Sequence, residues 1–277
     1  MLLDDLMATG QVTAVVEPVR VDSITTDTRV NTRPVYGPWV AQRKDSFDPS
    51  KLGIPIVSER ADGTRVWLDG QNRGALLKLV GWGDQSIDCK VFRGLTVKQE
   101  AALFLGHNDN RRVGTVYQFL ARVTAGDPTA VAITEIARGI GWRIADQNGP
   151  ETITAVAALE KVYQGDLREP VEGYAPGWAL QRTLSTITDA WGFKSETPNG
   201  EIIKGVGALF NRYLDGIDSI ALIKKLASYP AGPAGLLGDA RGRRQYQGGS
   251  VSACVSESVV DLYNKGRRSR TLETWRR

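Results

Sequence analysis

The sequence predicts an α+β fold in which a small mixed sheet with inserted helices precedes a mostly α-helical C-terminal domain. Up to Phe92, short apolar runs bounded by Gly, Pro, Asn and Asp alternate with single helical patterns, which is typical of strands with inserted helices. From Thr115 onward, apolar residues recur at helical spacing and are separated by glycine and proline turns. We therefore predict three parts: residues 1–114, a helical domain over 115–229, and a linker with a basic C-terminal segment over 230–277.

The elements follow from the same patterns, in chain order. Predicted strands cover residues 12–21, 55–58, 65–68 and 87–92, and residues 28–38 are expected to form turn and loop. Predicted helices of the first part cover 45–52, 74–80 and 96–105. Those of the rest of the chain cover 116–124, 128–138, 151–163, 178–191, 202–213, 217–228 and 251–264.

Composition excludes several classes of protein. Hydrophobic residues make up 42% and charged residues 24% of the 277 residues, as in ordinary globular proteins. Cys89 and Cys254 are the only cysteines, so neither a disulfide framework nor a thiolate metal site is expected. The N-terminus has acidic residues where a signal peptide needs basic ones, and no run of about 18 apolar residues occurs. We expect a cytoplasmic protein that is neither secreted nor membrane-spanning.

Positive charge is concentrated at the C-terminus. Residues 241–277 contain nine Arg or Lys and three Asp or Glu, a net charge of +6, whereas the whole chain carries +4. Such a focus favours a polyanionic partner such as DNA, although a solvated basic tail is the alternative. The candidate DNA contacts here are Arg241, Arg243, Arg244, Arg267, Arg268 and Arg270. Residues 133–141 and 151–162 have the apolar spacing of a helix-turn-helix, with simple bundle packing as the alternative.

The junction at residues 69–73 is the candidate functional site. The apolar residues 66–68 predict a strand, and the polar sequence Asp-Gly-Gln-Asn-Arg leads from it into a helix. Backbone N–H groups and the positive end of the dipole favour an anion at a helix N-terminus, and Arg73 adds a guanidinium. An ordinary turn with Asp69 as N-cap is the alternative. No Gly-x-x-x-x-Gly-Lys-Ser/Thr motif occurs, so a P-loop is excluded.

Three motifs in the same order resemble the ParB/sulfiredoxin-fold superfamily. Residues 69–73 resemble the Gly-Glu-Arg-Arg box of ParB, the Asp-Gly-Gln-His-Arg box of phage and DNA-modification proteins, and the Asp-Gly-His-Thr-Arg box of ParB-fold serine kinases. Upstream, residues 21–24 and 30–34 resemble the opening strand and the Asn-Pro-x-Gln-Pro-Arg turn. Downstream, residues 94–96, 99–102 and 107–112 resemble the third box, Glu-Asn-x-Gln-Arg. The resemblance covers roughly residues 15–120.

This resemblance implies a site for a nucleoside triphosphate, ATP or CTP, bound with Mg²⁺ between the second and third boxes. The residues it assigns to the nucleotide are Gly70, Gln71, Asn72, Arg73, Asn108, Asn110, Arg111 and Arg112. It also places Arg33 in the turn of the first box, as a further candidate DNA contact.

Two carboxylates are the candidate catalytic groups. Kinase-like members carry aspartate before the glycine, as Asp69 does here, where it can hold Mg²⁺ or orient an attacking hydroxyl. They also place an acid three residues after the isoleucine of the first strand as general base, and Asp27 holds that position. An ordinary turn aspartate is the alternative for Asp27. Gln71 and Asn72 replace the kinases' His-Thr pair, so no role of that histidine carries over.

The sequence thus predicts an NTP-dependent phosphotransferase of ParB-like fold that acts on DNA, on the hydroxyl of a hydroxymethylated pyrimidine. It would act in the host cytoplasm if it is phage-encoded. The alternatives are a ParB-like protein that binds or hydrolyses CTP and regulates partition or transcription on DNA, and a ParB-like nuclease. The sequence leaves the oligomeric state open.

Overall fold

The computed structural model describes residues 10–107, 114–168, 172–269 and 271–275, which divide into two compact units, Met1–Asp127 and Pro128–Arg277. The sequence patterns place this division after residue 114 instead. The difference arises because helix Thr115–Ala125 packs along helix Val97–His107 of the first unit.

The first unit contains a five-stranded mixed sheet. Its strands are β1 (Thr13–Arg20), β2 (Ile24–Thr25), β3 (Ile56–Glu59), β4 (Arg65–Asp69) and β5 (Ser86–Arg93). They lie in the order β1-β5-β3-β4-β2. The pairs β1/β5 and β3/β4 are antiparallel, whereas β3/β5 and β2/β4 are parallel. The α+β fold class is confirmed.

Four α-helices accompany this sheet in the described part of the unit. They are α1 (Gly37–Arg43), α2 (Gln71–Leu79), α3 (Val97–His107) and α4 (Thr115–Ala125). The helix predicted over 45–52 is wrong, since only the 3-10 turn Pro49–Lys51 forms there, with Asp48 accepting a hydrogen bond from the Ser50 N–H. A helix forms instead at the end of the predicted loop, because Pro38 lies in the first turn of α1 and its fixed φ suits a helix start.

The interior strand β4 has core on both faces. Successive side chains of a strand point to opposite sides, so Trp67 packs with one cluster that includes Val57 and Leu77. Leu68 packs with a second cluster on the other face, which includes Phe92. Residues 66–68 are at most 3% exposed. This burial fixes where β4 ends and therefore where the following turn lies.

The second unit is mostly helical, as predicted. Its α-helices in the described residues are α5 (Pro128–Ile140), α6 (Val156–Arg168), α7 (Trp178–Trp191), α8 (Gly200–Tyr213), α9 (Ser219–Ala227), α10 (Gly232–Gln247) and α11 (Val251–Asn264). Between α5 and α6, Arg143–Ile144 pairs in parallel with Thr152–Ile153. This short β-pair separates the two helices of the predicted helix-turn-helix and delays the start of α6 from residue 151 to Val156.

The C-terminal segment is folded and is not a linker with a free tail. Residues 232–235, in the part of the chain predicted as a linker, already belong to α10, which has Pro233 in its first turn. Leu236 of α10 and Val255 of α11 are fully buried, and the two helices pack on each other. Pro-Gly composition was misleading here because proline is compatible with a first helical turn. None of the described helices has both the length and the apolar character needed to cross a lipid bilayer.

Candidate nucleotide-binding site

The turn between β4 and α2 is tight and requires glycine. Gly70 is the N-cap of α2 and has a φ of +105°, in the left-handed region. A Cβ at this position would lie 2.8 Å from the Cβ of Pro55. Any other residue would therefore be strained in its backbone and would collide with the neighbouring segment.

The helix after this turn begins at Gln71, earlier than the predicted residue 74. Its first hydrogen bond runs from the Gly74 N–H to the Gly70 carbonyl at 2.9 Å. The alternative of Asp69 as N-cap is wrong, because Asp69 is the last residue of β4. The N–H groups of Gln71, Asn72 and Arg73 thus lie in the first turn, where a helix supplies no acceptor for them.

Asp69 and Arg73 form an ion pair across the turn. The Arg73 Nη2 donates to Asp69 Oδ2 at 2.6 Å, and Nη1 donates to the Leu52 carbonyl at 2.6 Å. The two side chains keep 26% (Asp69) and 20% (Arg73) exposure. The guanidinium is held in one orientation while part of its surface still faces solvent.

This pair lines a cavity of about 1130 Å³. The lining is cationic and aromatic: it includes Arg33, Arg43, Lys51 and Arg73, together with Tyr36, Trp39, Phe47 and Tyr117. Ligand pockets are typically of a few hundred to a thousand Å³ with apolar walls and a few convergent polar groups. The cavity therefore has the size and chemistry to hold an aromatic anion.

Two side chains of the first turn of α2 tie the loop of the first box to the site. Gln71 Nε2 donates to the Arg33 carbonyl at 2.6 Å, and Asn72 Oδ1 accepts from the Tyr36 N–H at 2.8 Å. Arg33, predicted as a DNA contact, therefore lines the same cavity as the predicted nucleotide-binding residues Gly70, Gln71, Asn72 and Arg73. The structure brings these boxes together in one place.

Two carboxylates, Asp48 and Asp69, line the cavity. Asp48 accepts hydrogen bonds from the Ser50 hydroxyl and N–H, which lower its pKa. Within the described ranges, no group of three or more His, Cys, Asp or Glu side chains forms a protein-only metal site. Mg²⁺ is commonly bound through one or two carboxylates plus substrate phosphates, and this donor set fits that mode.

Comparison with known proteins places the chain in a family. A sequence model described as a family of unknown function, DUF6551, matches residues 33–233. The chain belongs to this family. The matched segment contains residues 69–73 and ends shortly after α10 begins.

A solved structure described as the C2221 form of a Pnob8-like ParB-N domain is similar to this DUF6551 protein. The two are 14% identical and align with a TM-score of 0.41 over 92% of this chain and 98% of that chain. No curated protein matches the sequence.

Asp27, the predicted general base, does not line the cavity of this DUF6551 protein. Its carboxylate accepts from Arg29 Nη2 at 2.6 Å and from Arg60 Nη2 at 2.8 Å, and Arg60 also pairs with the fully buried Glu100 at 2.5 Å. The hydrogen bonds from Arg29 and Arg60 hold the pKa of Asp27 well below its ordinary value of 3.8. A carboxylate that accepts from two guanidinium groups is a weak proton acceptor, and the assignment of Asp27 as general base stays a prediction.

The third box holds the remaining candidate nucleotide contacts. Asn108, Asn110, Arg111 and Arg112 lie outside the described residues, which end at His107 and resume at Gly114. Their assignment to the nucleotide stays a prediction.

Two of the six C-terminal arginines are engaged within the second unit. Arg243 Nη2 lies 2.7 Å from Asp261 Oδ2. The Arg267 guanidinium lies 4.4 Å from the centre of the Tyr263 ring, with Asp218 at 3.7 Å. Because each guanidinium group already has a carboxylate partner, it is less able to bind a DNA phosphate.

The other C-terminal arginines differ in position. Arg241, Arg244 and Arg268 are exposed and remain candidate DNA contacts. Arg270 lies outside the described residues.

Sequence reasoning missed the cavity wall that α1 supplies. The Arg43 guanidinium lies 4.5 Å from the centre of the Trp39 ring, and both residues line the cavity. Their spacing of four residues, which places two side chains on one helical face, was the available signal. It was hidden because Pro38 and Gly37 favoured a loop.

Proposed function

We propose that this protein is an NTP-dependent phosphotransferase that binds ATP or CTP with Mg²⁺ in the cavity and phosphorylates a hydroxyl group on DNA. The observation that carries this proposal is the Asp69–Arg73 pair at the N-terminus of α2, inside a cavity with cationic and aromatic walls. A triphosphate is a strong anion attached to an aromatic base, and it matches both features of the lining.

The phosphates are assigned to the first turn of α2. N–H groups of a helix N-terminus together with its dipole form an anion site. Arg73 adds a guanidinium whose orientation is already set by Asp69 and the Leu52 carbonyl, so little side-chain freedom is lost on binding. Arg33 and Lys51 add positive charge from other segments of the lining.

The base is assigned to the aromatic part of the lining. Tyr36 is 60% exposed and lies next to the site through its backbone bond to Asn72. Aromatic side chains stack on any nucleobase, so this contact supports affinity without choosing between ATP and CTP.

Asp69 is assigned to phosphoryl transfer. It would hold Mg²⁺, with Asp48 as a second carboxylate of the lining, and the ion supplies charge neutralisation at the phosphate oxygens. Because the transition state of phosphoryl transfer is loose, positioning and electrostatic stabilisation carry most of the catalysis. The site therefore does not depend on the ion-paired Asp27 as a strong base.

DNA is assigned as the acceptor on the basis of charge. Arg241, Arg244 and Arg268 are exposed in the second unit, and such residues attract DNA phosphates without reading sequence. A hydroxymethyl group on a pyrimidine projects into the major groove, where it is accessible to an enzyme.

A second candidate function is a ParB-like protein that binds or hydrolyses CTP and binds DNA. One specific observation favours it: the acid that kinase-like relatives are expected to use as general base is ion-paired to Arg29 and Arg60 here. A nucleotide-dependent DNA-binding protein has no need of a base for a substrate hydroxyl.

Labelled triphosphate distinguishes the two functions. We expect γ-phosphate-labelled ATP or CTP to transfer label to DNA containing hydroxymethylated pyrimidines, and not to unmodified DNA. Asp69→Asn should abolish transfer, whereas Asp88→Asn, which changes an exposed carboxylate on β5 outside the lining, should retain it. Label recovered only as free phosphate would favour the second candidate. Absence of any nucleotide-dependent stabilisation or turnover would contradict both.

A further inference from the structure

Gln71 lines the cavity, and the oxygen of its carboxamide lacks a partner in the described structure. Gln71 is 3% exposed. Its Nε2 donates to the Arg33 carbonyl at 2.6 Å, which fixes the orientation of the amide. Its Oε1 is buried and has no hydrogen-bond partner among the described residues. A buried acceptor in a cavity wall is costly unless a ligand or water donates to it.

Phosphate cannot be this donor. The oxygens of a triphosphate at neutral pH are hydrogen-bond acceptors, and so is Gln71 Oε1. The donor must therefore belong to the nucleoside part of the ligand, either to a sugar hydroxyl or to the base.

The residue to which Gln71 is bonded also has an unpartnered side-chain atom. Arg33 Nε is buried and lacks a hydrogen-bond partner in the described structure, and the Arg33 carbonyl is the group to which Gln71 is bonded. Gln71 Oε1 needs a donor, whereas Arg33 Nε needs an acceptor. Hydroxyl groups supply both functions, and a vicinal diol supplies them twice.

We propose that Gln71 Oε1 accepts a hydrogen bond from a ribose hydroxyl of the bound triphosphate, with Arg33 Nε donating to the same diol. The site is thereby selective for ribonucleotides over deoxyribonucleotides. The sugar is assigned in preference to the base because Gln71 directly follows Gly70, at the helix end that takes the phosphates, and the sugar is the part of a nucleotide nearest its phosphates. This inference rests on the proposed binding of a nucleoside triphosphate.

Calorimetric titration of the full chain tests the inference. The ligands are ATP and CTP, their 2′-deoxy and 3′-deoxy forms, and inorganic tripolyphosphate. We expect at least one deoxy form to bind roughly tenfold to a hundredfold more weakly than its ribonucleotide, because it leaves buried groups unpaired. Tripolyphosphate should bind without regard to Gln71.

Gln71→Leu should remove the selectivity by weakening the ribonucleotide to the affinity of its deoxy form. The ratio of the two dissociation constants is the readout, since a general loss of stability would leave that ratio unchanged. Ser58→Ala is the matched control, because Ser58 Oγ is also buried and unpartnered in the described structure but lies on β3 outside the lining. This control should keep the wild-type ratio.

The outcomes separate this inference from the proposed function. Equal affinity of wild type for ribo and both deoxy forms overturns the inference while leaving nucleotide binding intact. Selectivity that persists in Gln71→Leu, or discrimination among bases alone, also overturns it. If wild type binds no nucleoside triphosphate, the proposed function fails and the selectivity falls with it.

Discussion

Two arginine–carboxylate groups of the first unit have similar chemistry and different surroundings. In the cluster of Asp27, Arg60 and Glu100, Arg60 donates to both acids and Glu100 has no exposed surface. In the pair of Asp69 and Arg73, the carboxylate keeps 26% exposure and both side chains line the cavity. The first group is closed by its own partners, whereas the second is open to a ligand.

This difference shows why an ion pair alone does not identify a functional site. Structural pairs perturb pKa values as strongly as catalytic ones do. The large lowering of the Asp27 pKa has its origin in the Arg29 and Arg60 hydrogen bonds and comes with no access to the cavity. We therefore expect changes in the closed cluster to affect folding, and changes in the open pair to affect binding.

The largest effect on stability is expected for Glu100→Ala. The substitution removes a fully buried carboxylate that bonds Arg60 at 2.5 and 3.0 Å and leaves that guanidinium with Asp27 alone. Breaking a buried ion pair from one side typically costs about 3–5 kcal/mol. Urea denaturation measures this change in the free energy of unfolding from the midpoint and slope of the transition.

The control for this variant is Glu135→Ala. Glu135 pairs with Arg138 on the surface, at 56% and 75% exposure, and such pairs contribute about 0–1 kcal/mol. If Glu100→Ala were no more destabilising than this control, the Asp27 cluster would be an incidental surface feature, and the contrast between the closed and the open group would disappear.

A smaller effect, dependent on pH, is expected for Asp27→Asn. At neutral pH the variant should lose about 1–3 kcal/mol, because two guanidinium groups lose a charged acceptor. The folded-state pKa of Asp27 is lowered, so the unfolded chain takes up the proton first as pH falls. The stabilisation is therefore complete above the unfolded pKa of about 3.9 and is lost as pH falls toward the folded value.

The free energies of unfolding of wild type and Asp27→Asn should accordingly converge below about pH 4. Denaturation curves of both proteins between neutral pH and the acid range measure this. A difference that stayed constant over that range would mean that Asp27 gains nothing from its arginine partners.

The open site was largely predictable because its signals are local. A strand that ends in Asp-Gly before polar residues predicts the turn at Gly70 from neighbours in the chain alone. The start of α2 was missed by one turn, since the polar residues 71–73 resembled a loop. They form the first turn of α2, and two of them make tertiary hydrogen bonds to Arg33 and Tyr36.

The closed cluster was not predictable for the opposite reason. Arg60 bonds Asp27 and Glu100 across separations of 33 and 40 residues, which no periodicity reports. Asp27 matched a position of a family motif and was therefore assigned to catalysis, although in the folded chain it is paired with Arg60. The folded α10 was missed similarly, because its buried Leu236 is surrounded by glycine and alanine.

The smallest effect on stability and the sharpest on binding are expected for Arg73→Ala, compared with Arg65→Ala. Arg65 pairs with Glu59 at 2.7 Å and 31% exposure, similar to Arg73 with Asp69, but it lies at the start of β4 outside the lining. Partly exposed pairs of this kind contribute about 1 kcal/mol, so both variants should unfold close to wild type.

Their response to ligand should differ completely. A triphosphate that binds only the folded protein stabilises it by mass action, by about 2.7 kcal/mol at a hundredfold excess over its dissociation constant, and so raises the melting temperature. Millimolar ATP or CTP with Mg²⁺ should stabilise wild type and Arg65→Ala equally in a thermal denaturation series, and should leave Arg73→Ala nearly unchanged. Equal stabilisation of both variants would show that the guanidinium of Arg73 serves the turn alone, and the phosphates would then have to be assigned to Arg33, Arg43 and Lys51 on the other walls of the cavity.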